Sequence, residues 1–306
     1  MYQAQGFAGQ VPVSFRFCGY DLVVPSKHPL IGFHTPNSNI YQPYRDRGSG
    51  IIATALAQLG RRGVAIDIGA NVGDTLAVIA SNSDLKVICV EASDFFVQYL
   101  RVNVDRHFKD RAEIRHSFVA AKPDDRGHAL LHWGGTARPI DRPFSESSTV
   151  VPIRRLLAEF SEVALLKIDT DGFDLAIIEA CLEEQPGPAP TFPIYFELEI
   201  TSDQPSEVRA AAERGQAFFN QVVNAGYRRA FVWDDPGRFY GLIDLADDAV
   251  VTNLLNYMTQ VRHRPVWGFD IALVCDADVS LLQAIAKLTS MDMAIELDCS
   301  TTRPRS

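Results

Sequence analysis

The sequence predicts an α/β fold: a doubly wound, mostly parallel and Rossmann-like sheet of about seven strands, with an N-terminal β-hairpin extension. Three observations carry this. Short, apolar, β-branched runs alternate with amphipathic helical stretches along most of the chain. One of them, Val64 to Ala80, reads as strand, glycine turn and helix in that order. Acidic residues recur just where the apolar runs end, and in an open parallel sheet ligands bind outside the carboxyl ends of the strands.

Val64 to Ile68 is a buried strand broken only by Asp67, and Gly69 to Gly73 (with Ala70 and Asn71 between) is the turn. Asp74 and Thr75 open an apolar helix, which an early acid and a hydroxyl side chain suit. The corner would cradle a nucleotide, and the spacing tests which one. A phosphate-binding loop needs Gly-x-x-x-x-Gly-Lys-Ser/Thr, and no Lys follows Gly73. A dinucleotide fold needs Gly-x-Gly-x-x-Gly, and Asn71 stands at the second glycine. Asp67 would repel a pyrophosphate and attract an ammonium. S-adenosylmethionine (SAM) carries an ammonium and a sulfonium and no phosphate, so charge favours it. A nicotinamide-dependent oxidoreductase on a related fold is the alternative, and a non-catalytic SAM-binding scaffold is another.

Composition narrows the partners. The chain has 306 residues, 47% of them hydrophobic, enough for a large core. A net charge of −9 and a pI near 5.3 argue against nucleic acid or an anionic membrane as principal partner. No secretory signal and no membrane span is read. Five scattered cysteines (18, 89, 181, 275 and 299) read as reduced core residues of a cytoplasmic protein, neither metal ligands nor disulfides.

Residues 1–50 form an extension, with a hairpin over Val13–Gly19 and Tyr20–Pro25 and an irregular stretch from Ser26 to Gly48 holding His28, His34, Tyr41 and Tyr44. It caps the core or covers the site as a flap. The main domain spans 51–300 and begins with a helix over Ile51–Leu59. Lys86–Ala92 is the second strand, ending at Glu91 and Ala92, and Glu91 is placed to accept both hydroxyls of an adenosine ribose. Ser93 caps a helix over Phe95–Val104. Ala112–Val119 is the third strand, with Ser117 and Phe118 where an adenine would meet a hydroxyl and an apolar wall. Residues 120–150 are an excursion with a short strand, Ala129–Trp133, and a mobile loop. His128 and His132 lack the Glu and the helix of a zinc-protease motif.

Val163–Ile168 is the fourth strand, with Asp169 and Asp171 at its end, a turn at Gly172, and Asp174 capping the next helix. An EF-hand register fails, because Lys167 would fall at position 1 and Ile178 at position 12. A divalent metal on Asp169 and Asp171 is conceivable but not expected. After a Pro-rich loop (185–193), Ile194–Ile200 is a strand whose Glu197 and Glu199 share a face, costly unless they line a cavity. A helix over Ser206–Ala225 stops at Gly226. A strand over Arg228–Trp233, a turn at Asp234–Gly237, a helix over Ala246–Gln260, a strand over Phe269–Cys275 and a helix over Val279–Leu288 complete the domain. Residues 301–306 are expected to be a disordered tail. The oligomeric state stays open, a homodimer included.

Asp67-Ile-Gly-Ala-Asn-Val-Gly-Asp-Thr, Val90-Glu-Ala and Leu166-Lys-Ile-Asp-Thr-Asp-Gly resemble the motifs of FkbM-type SAM-dependent methyltransferases. The likeness extends to Tyr44-Arg-Asp-Arg-Gly-Ser-Gly and Phe231-Val-Trp-Asp-Asp-Pro-Gly. It implies a class I methyltransferase fold and O-methylation of sugar or natural-product hydroxyls. By residue, it implies the methionine end of SAM at Asp67, Gly69, Asn71 and Gly73, and the ribose on Glu91. The family usually reads Asp-Val-Glu-Gly where this chain has Asp169-Thr-Asp-Gly, a shorter carboxylate at 171. Asp169 is the first candidate for general base, with His132 behind it.

Overall fold

The glycine turn at 69–73 lies in the middle of a nine-stranded mixed sheet. The structure is a computed structural model, and it describes residues 10–33, 47–123, 125–133, 135–143, 145–183, 190–199, 205–234, 237–259 and 268–301. The tail 302–306, His34, Tyr41, Tyr44 and most of the Pro-rich loop lie outside the described residues.

In chain order, a hairpin of β1 (Pro12–Phe17) and β2 (Tyr20–Pro25) leads to α1 (Pro29–Phe33) and α2 (Arg47–Gln58). Then come β3 (Val64–Ile68), α3 (Asp74–Asn82), β4 (Lys86–Glu91), α4 (Phe96–Asn103) with a π-helical turn to Phe108, and β5 (Ala112–Ala120). A ribbon of β6 (His128–Trp133) and β7 (Thr136–Pro143) precedes β8 (Thr149–Pro152), α5 (Ile153–Leu157), β9 (Val163–Ile168), α6 (Asp174–Leu182) and β10 (Ile194–Glu199). The chain closes with α7 (Pro205–Asn224), β11 (Arg229–Asp234), β12 (Phe239–Asp244), α8 (Asp248–Thr259), β13 (Gly268–Val274) and α9 (Val279–Thr301).

The sheet runs β12-β11-β13-β10-β9-β3-β4-β5-β8. From β10 to β8 every neighbour is parallel, whereas β13 runs antiparallel to both β10 and β11. The seven strands expected from the sequence are all present. Two further edge strands, β8 and β12, extend the sheet beyond that expectation. The order reverses between β3 and β9, which makes the carboxyl ends of those two strands the place where a crevice opens.

Alternation along β3 divides the core. Ile66 and Ile68 enter the layer under α5 to α8, which holds Leu166, Ile168, Phe196, Phe218 and Phe219. Ala65 enters the opposite layer with Val87, Leu165, Tyr195 and Trp233, under α2, α3 and α9. Each buried Val, Leu, Ile or Phe among these contributes roughly 1.5–3 kcal/mol by leaving water. Asp67 shares the parity of Ala65 and is therefore carried into this apolar layer.

Three expectations shift. The short strand expected over Ala129–Trp133 is β6, but the loop expected to be mobile beside it instead holds its partner β7 and then β8; Pro139 and Pro143 suppress the signal of β7, yet a two-stranded ribbon has free edges that tolerate proline. Helix α9 continues past Leu288 to Thr301. Asp174 is the first residue of α6, and its carboxylate bonds backwards into the preceding turn instead of capping the helix. Among the described residues, no helix is long and apolar enough to cross a membrane.

Candidate active site

At the strand-order reversal a cavity of about 560 Å³ opens at the carboxyl ends of β3, β4, β5, β9 and β10. Its floor begins with the glycine turn. Gly69 takes φ +83, and a Cβ there would collide with the Asp169 carbonyl oxygen. Both conditions require glycine. The turn is pinned on the other side by Gly69 N and Ala70 N donating to Val90 O, at 2.9 and 3.0 Å. These bonds bring the ends of β9, β3 and β4 together.

Asn71 completes the turn in the left-handed region, at φ +48. Its backbone N–H donates to Glu91 Oε2 at 2.7 Å, and Ser93 N donates to Glu91 Oε1 at 2.7 Å. Burial pushes the Glu91 carboxyl up to about 7, against the lowering effect of these amides. The Asn71 side chain joins two covering segments. Nδ2 donates to Gly135 O at 2.9 Å, on the β6–β7 ribbon, and Oδ1 lies 3.3 Å from His28 Nε2, on the N-terminal extension. His28, Pro29 and Leu30 line the cavity. The extension therefore caps the core and walls the site at once.

Behind the floor Asp67 is fully buried. Its cross-strand partner on β9 is Lys167, whose Nζ lies 3.3 Å from Asp67 Oδ1 and 3.2 Å from Asp169 Oδ2. Asp67 was expected to face a cationic ligand. It is instead sealed under the turn and neutralised by Lys167, because its parity points it into the core. The lysine was the missed signal. A cation inside Val-Ala-Leu-Leu-Lys-Ile needs a buried partner.

Asp169, with 38% of its side chain exposed, faces the cavity with Thr170 and Asp171. Asp171 takes φ +52 and accepts a hydrogen bond from Thr136 Oγ1 of the ribbon. Glu197 and Glu199 line the same wall, as their shared parity requires, with Asp270 opposite Glu197 in register. Burial first, then Asp171 and Asp169, raise the Glu199 carboxyl above its usual range, while Arg138 at 3.6 Å opposes. Arg138 and Thr136 have no signal in the sequence, since β7, the strand that presents them, is not legible there.

Of the residues expected at the site, Gly69, Asn71, Asp74, Thr75, Glu91, Ala92, Ser117, Phe118, Asp169 and Asp171 line the cavity together. Ala70, Gly73 and Asp67 lie behind it in the turn and the core. Ser117 Oγ is 3.0 Å from Thr149 Oγ1, and the Phe118 ring meets His128 and Phe173. His132, the second candidate for general base, is not in the cavity wall. Its Nε2 lies 2.6 Å from Ser93 Oγ and its ring packs on Phe95 and Phe96, so it fastens the ribbon to the start of α4. Ser93 Oγ accepts from Phe95 N and Phe96 N, the capping role expected of it. Among the described residues, no group of three or more His, Cys, Asp or Glu side chains is arranged to hold a metal.

No family model matches the chain, and no curated protein matches it. Among solved structures it is similar to an O-methyltransferase from Bacillus cereus in complex with SAH, at 17% identity and a TM-score of 0.39, over 78% of this chain and 85% of that one. A precorrin-6y C5,15-methyltransferase from Geobacter metallireducens matches at 11% identity and 0.38, over 79% and 94%. An rRNA methylase from Streptococcus thermophilus matches at 10% and 0.38, over 74% and 93%.

Proposed function

We propose that this chain is a SAM-dependent methyltransferase that transfers a methyl group to a hydroxyl oxygen of a sugar, glycan or natural product. One observation carries the reading: the Asn71 amide, placed where a dinucleotide fold meets its pyrophosphate, is taken by the Glu91 carboxylate. A pyrophosphate would meet negative charge there, with Asp74 covering the start of α3 as well. The rival nicotinamide reading loses its phosphate seat. The sheet order, with β13 lying antiparallel between β10 and β11, also departs from the 3-2-1-4-5-6 order of dinucleotide-binding sheets.

The residues present fit SAM. Glu91 accepts the Asn71 amide on Oε2 and the Ser93 amide on Oε1, and its remaining acceptor capacity would take a ribose hydroxyl. Ser117 and Phe118 would hold the adenine. Asp74 takes the role read for Asp67 and would face the ammonium, since its carboxylate lines the cavity and Asp67 does not. SAM supplies a methyl already activated by the sulfonium, so positioning accounts for most of the rate. Lys167 engages Asp169 Oδ2, which leaves Oδ1 as the atom that would take the proton from an acceptor hydroxyl. The ribbon residues Gly135 to Pro139 cover this end of the cavity and exclude water.

Radiolabelled SAM, incubated with the protein and a panel of glycans and small hydroxylated metabolites, tests the reading. Label in an alkali-stable ether product supports it. Tight SAM binding with no transfer across the panel favours a scaffold.

A further inference from the structure

The turn that presents Asp169 and Asp171 is held from behind by a carboxylate that the chemistry above does not use. Asp174 is 4% exposed. Its Oδ2 accepts from Thr170 Oγ1 at 2.9 Å, Thr170 N at 3.2 Å and Gly172 N at 3.4 Å, while Oδ1 lies 3.4 Å from Thr170 N. Within the turn it holds, Asp171 sits in the left-handed region at φ +52, and Gly172 follows at φ +122. A non-glycine residue stays in that region only where its surroundings fix it there. The turn is also a partition. The main cavity lies on one side, and a second cavity of about 220 Å³ lies on the other, lined by Asp171, Asp174, Glu197, Glu199, Arg214 and Leu255.

We propose that Asp174 is a positioning residue for the proposed base: as a carboxylate it fixes the 169–172 turn against the cavity, and on protonation it releases that turn. The inference of a role in catalysis rests on the methyltransferase reading; the control of the turn does not. A proton on Oδ2 would oppose the donors gathered there. A proton on Oδ1 leaves those bonds in place but removes the charge that strengthens them, so either protonated form holds the turn less tightly. Burial, and then the charge of Asp169, push the Asp174 carboxyl up to about 7, so both forms are populated near neutrality. Among the described residues, the charged groups facing it are Asp169 just past β9, Asp171 from the turn, Glu197 and Glu199 from β10, and Arg214 from α7. Arg214 is paired with Glu179 at 3.4 Å, and the other four are acids, so the surroundings favour the proton.

The test is amide NMR on ¹⁵N-labelled protein between pH 5.5 and 8.5, read at Thr170 and Gly172. Wild type should show both amides titrating together with a midpoint near 7. Asp174→Asn and Asp174→Ser should abolish that titration, and should speed hydrogen exchange at both amides by about tenfold, the loss expected when bonds to a charged acceptor go. Flat wild-type shifts overturn the proposal even if neither variant folds, as does the same midpoint persisting in Asp174→Asn. Calorimetry with SAM is run on the same samples. Wild type giving no heat would remove the methyltransferase reading, while the two amides would still decide the control of the turn.

Discussion

The amide of Asn71 and the carboxylate of Glu91 meet at 2.7 Å, tying the glycine turn after β3 to the end of β4. This contact closes the site to a pyrophosphate and leaves Glu91 as a buried acid with spare lone pairs beside the cavity. Glu91→Gln should weaken SAM binding at least tenfold in calorimetry, since a charged acceptor is worth about 1.5–3 kcal/mol per hydrogen bond. An unchanged affinity would mean that Glu91 only staples the turn.

The same carboxyl sets a pH dependence for binding. Burial holds it near 7 in the free protein, and hydroxyl donors favour its ionised form. SAM affinity should therefore rise about tenfold from pH 6 to pH 8. Binding near pH 7 should also release protons, seen as a dependence of the heat on the buffer. Glu91→Gln should flatten both effects.

Stability should move in the opposite direction. Glu91 and Asp174 are both raised to about 7 by burial, so the folded state holds their protons more tightly than the unfolded chain does. Their contribution is fully present below the unfolded values near 4 and is lost as pH rises through 7. Urea denaturation should show stability falling from pH 5.5 to pH 8, by roughly 2 kcal/mol per group. Replacing either acid by its amide should reduce the fall.

Lys167 Nζ lies 3.3 Å from Asp67 Oδ1, and both side chains are sealed from water. Lys167→Met should cost about 3–5 kcal/mol in urea denaturation by stranding the Asp67 charge. Adding Asp67→Leu should recover much of that loss. A single variant as stable as wild type would show that the pair has no structural part.

Two glycines give a matched comparison. Gly69→Ala forces a Cβ into the Asp169 carbonyl oxygen at φ +83, whereas Gly172→Ala meets nothing within 4 Å and bears backbone strain alone. Gly172→Ala should cost about 1–2 kcal/mol. Gly69→Ala should cost clearly more and prise β9 from β3, which thermal melts of the two variants would rank.

The legible parts of this site are local. β3, its glycine turn, α3, Glu91 and Asp169 each announce themselves within a few neighbouring residues, by apolar runs that end in an acid or a glycine. The illegible parts depend on pairing at a distance. Asp67 and Lys167 become neighbours only through the register of β3 with β9, so an acid that looks like a ligand for a cation turns out to hold a lysine. Thr136 and Arg138 reach the cavity on β7, whose prolines mask its pattern although its partner β6 is legible. His132 looked available for catalysis until the fold set it against Ser93.

Isothermal calorimetry of the wild-type protein at pH 7.5, titrated in parallel with SAM and with NAD, tests the central claim most directly. Saturable one-site heat with SAM and none with NAD is the expected result. Heat with NAD and none with SAM would contradict it.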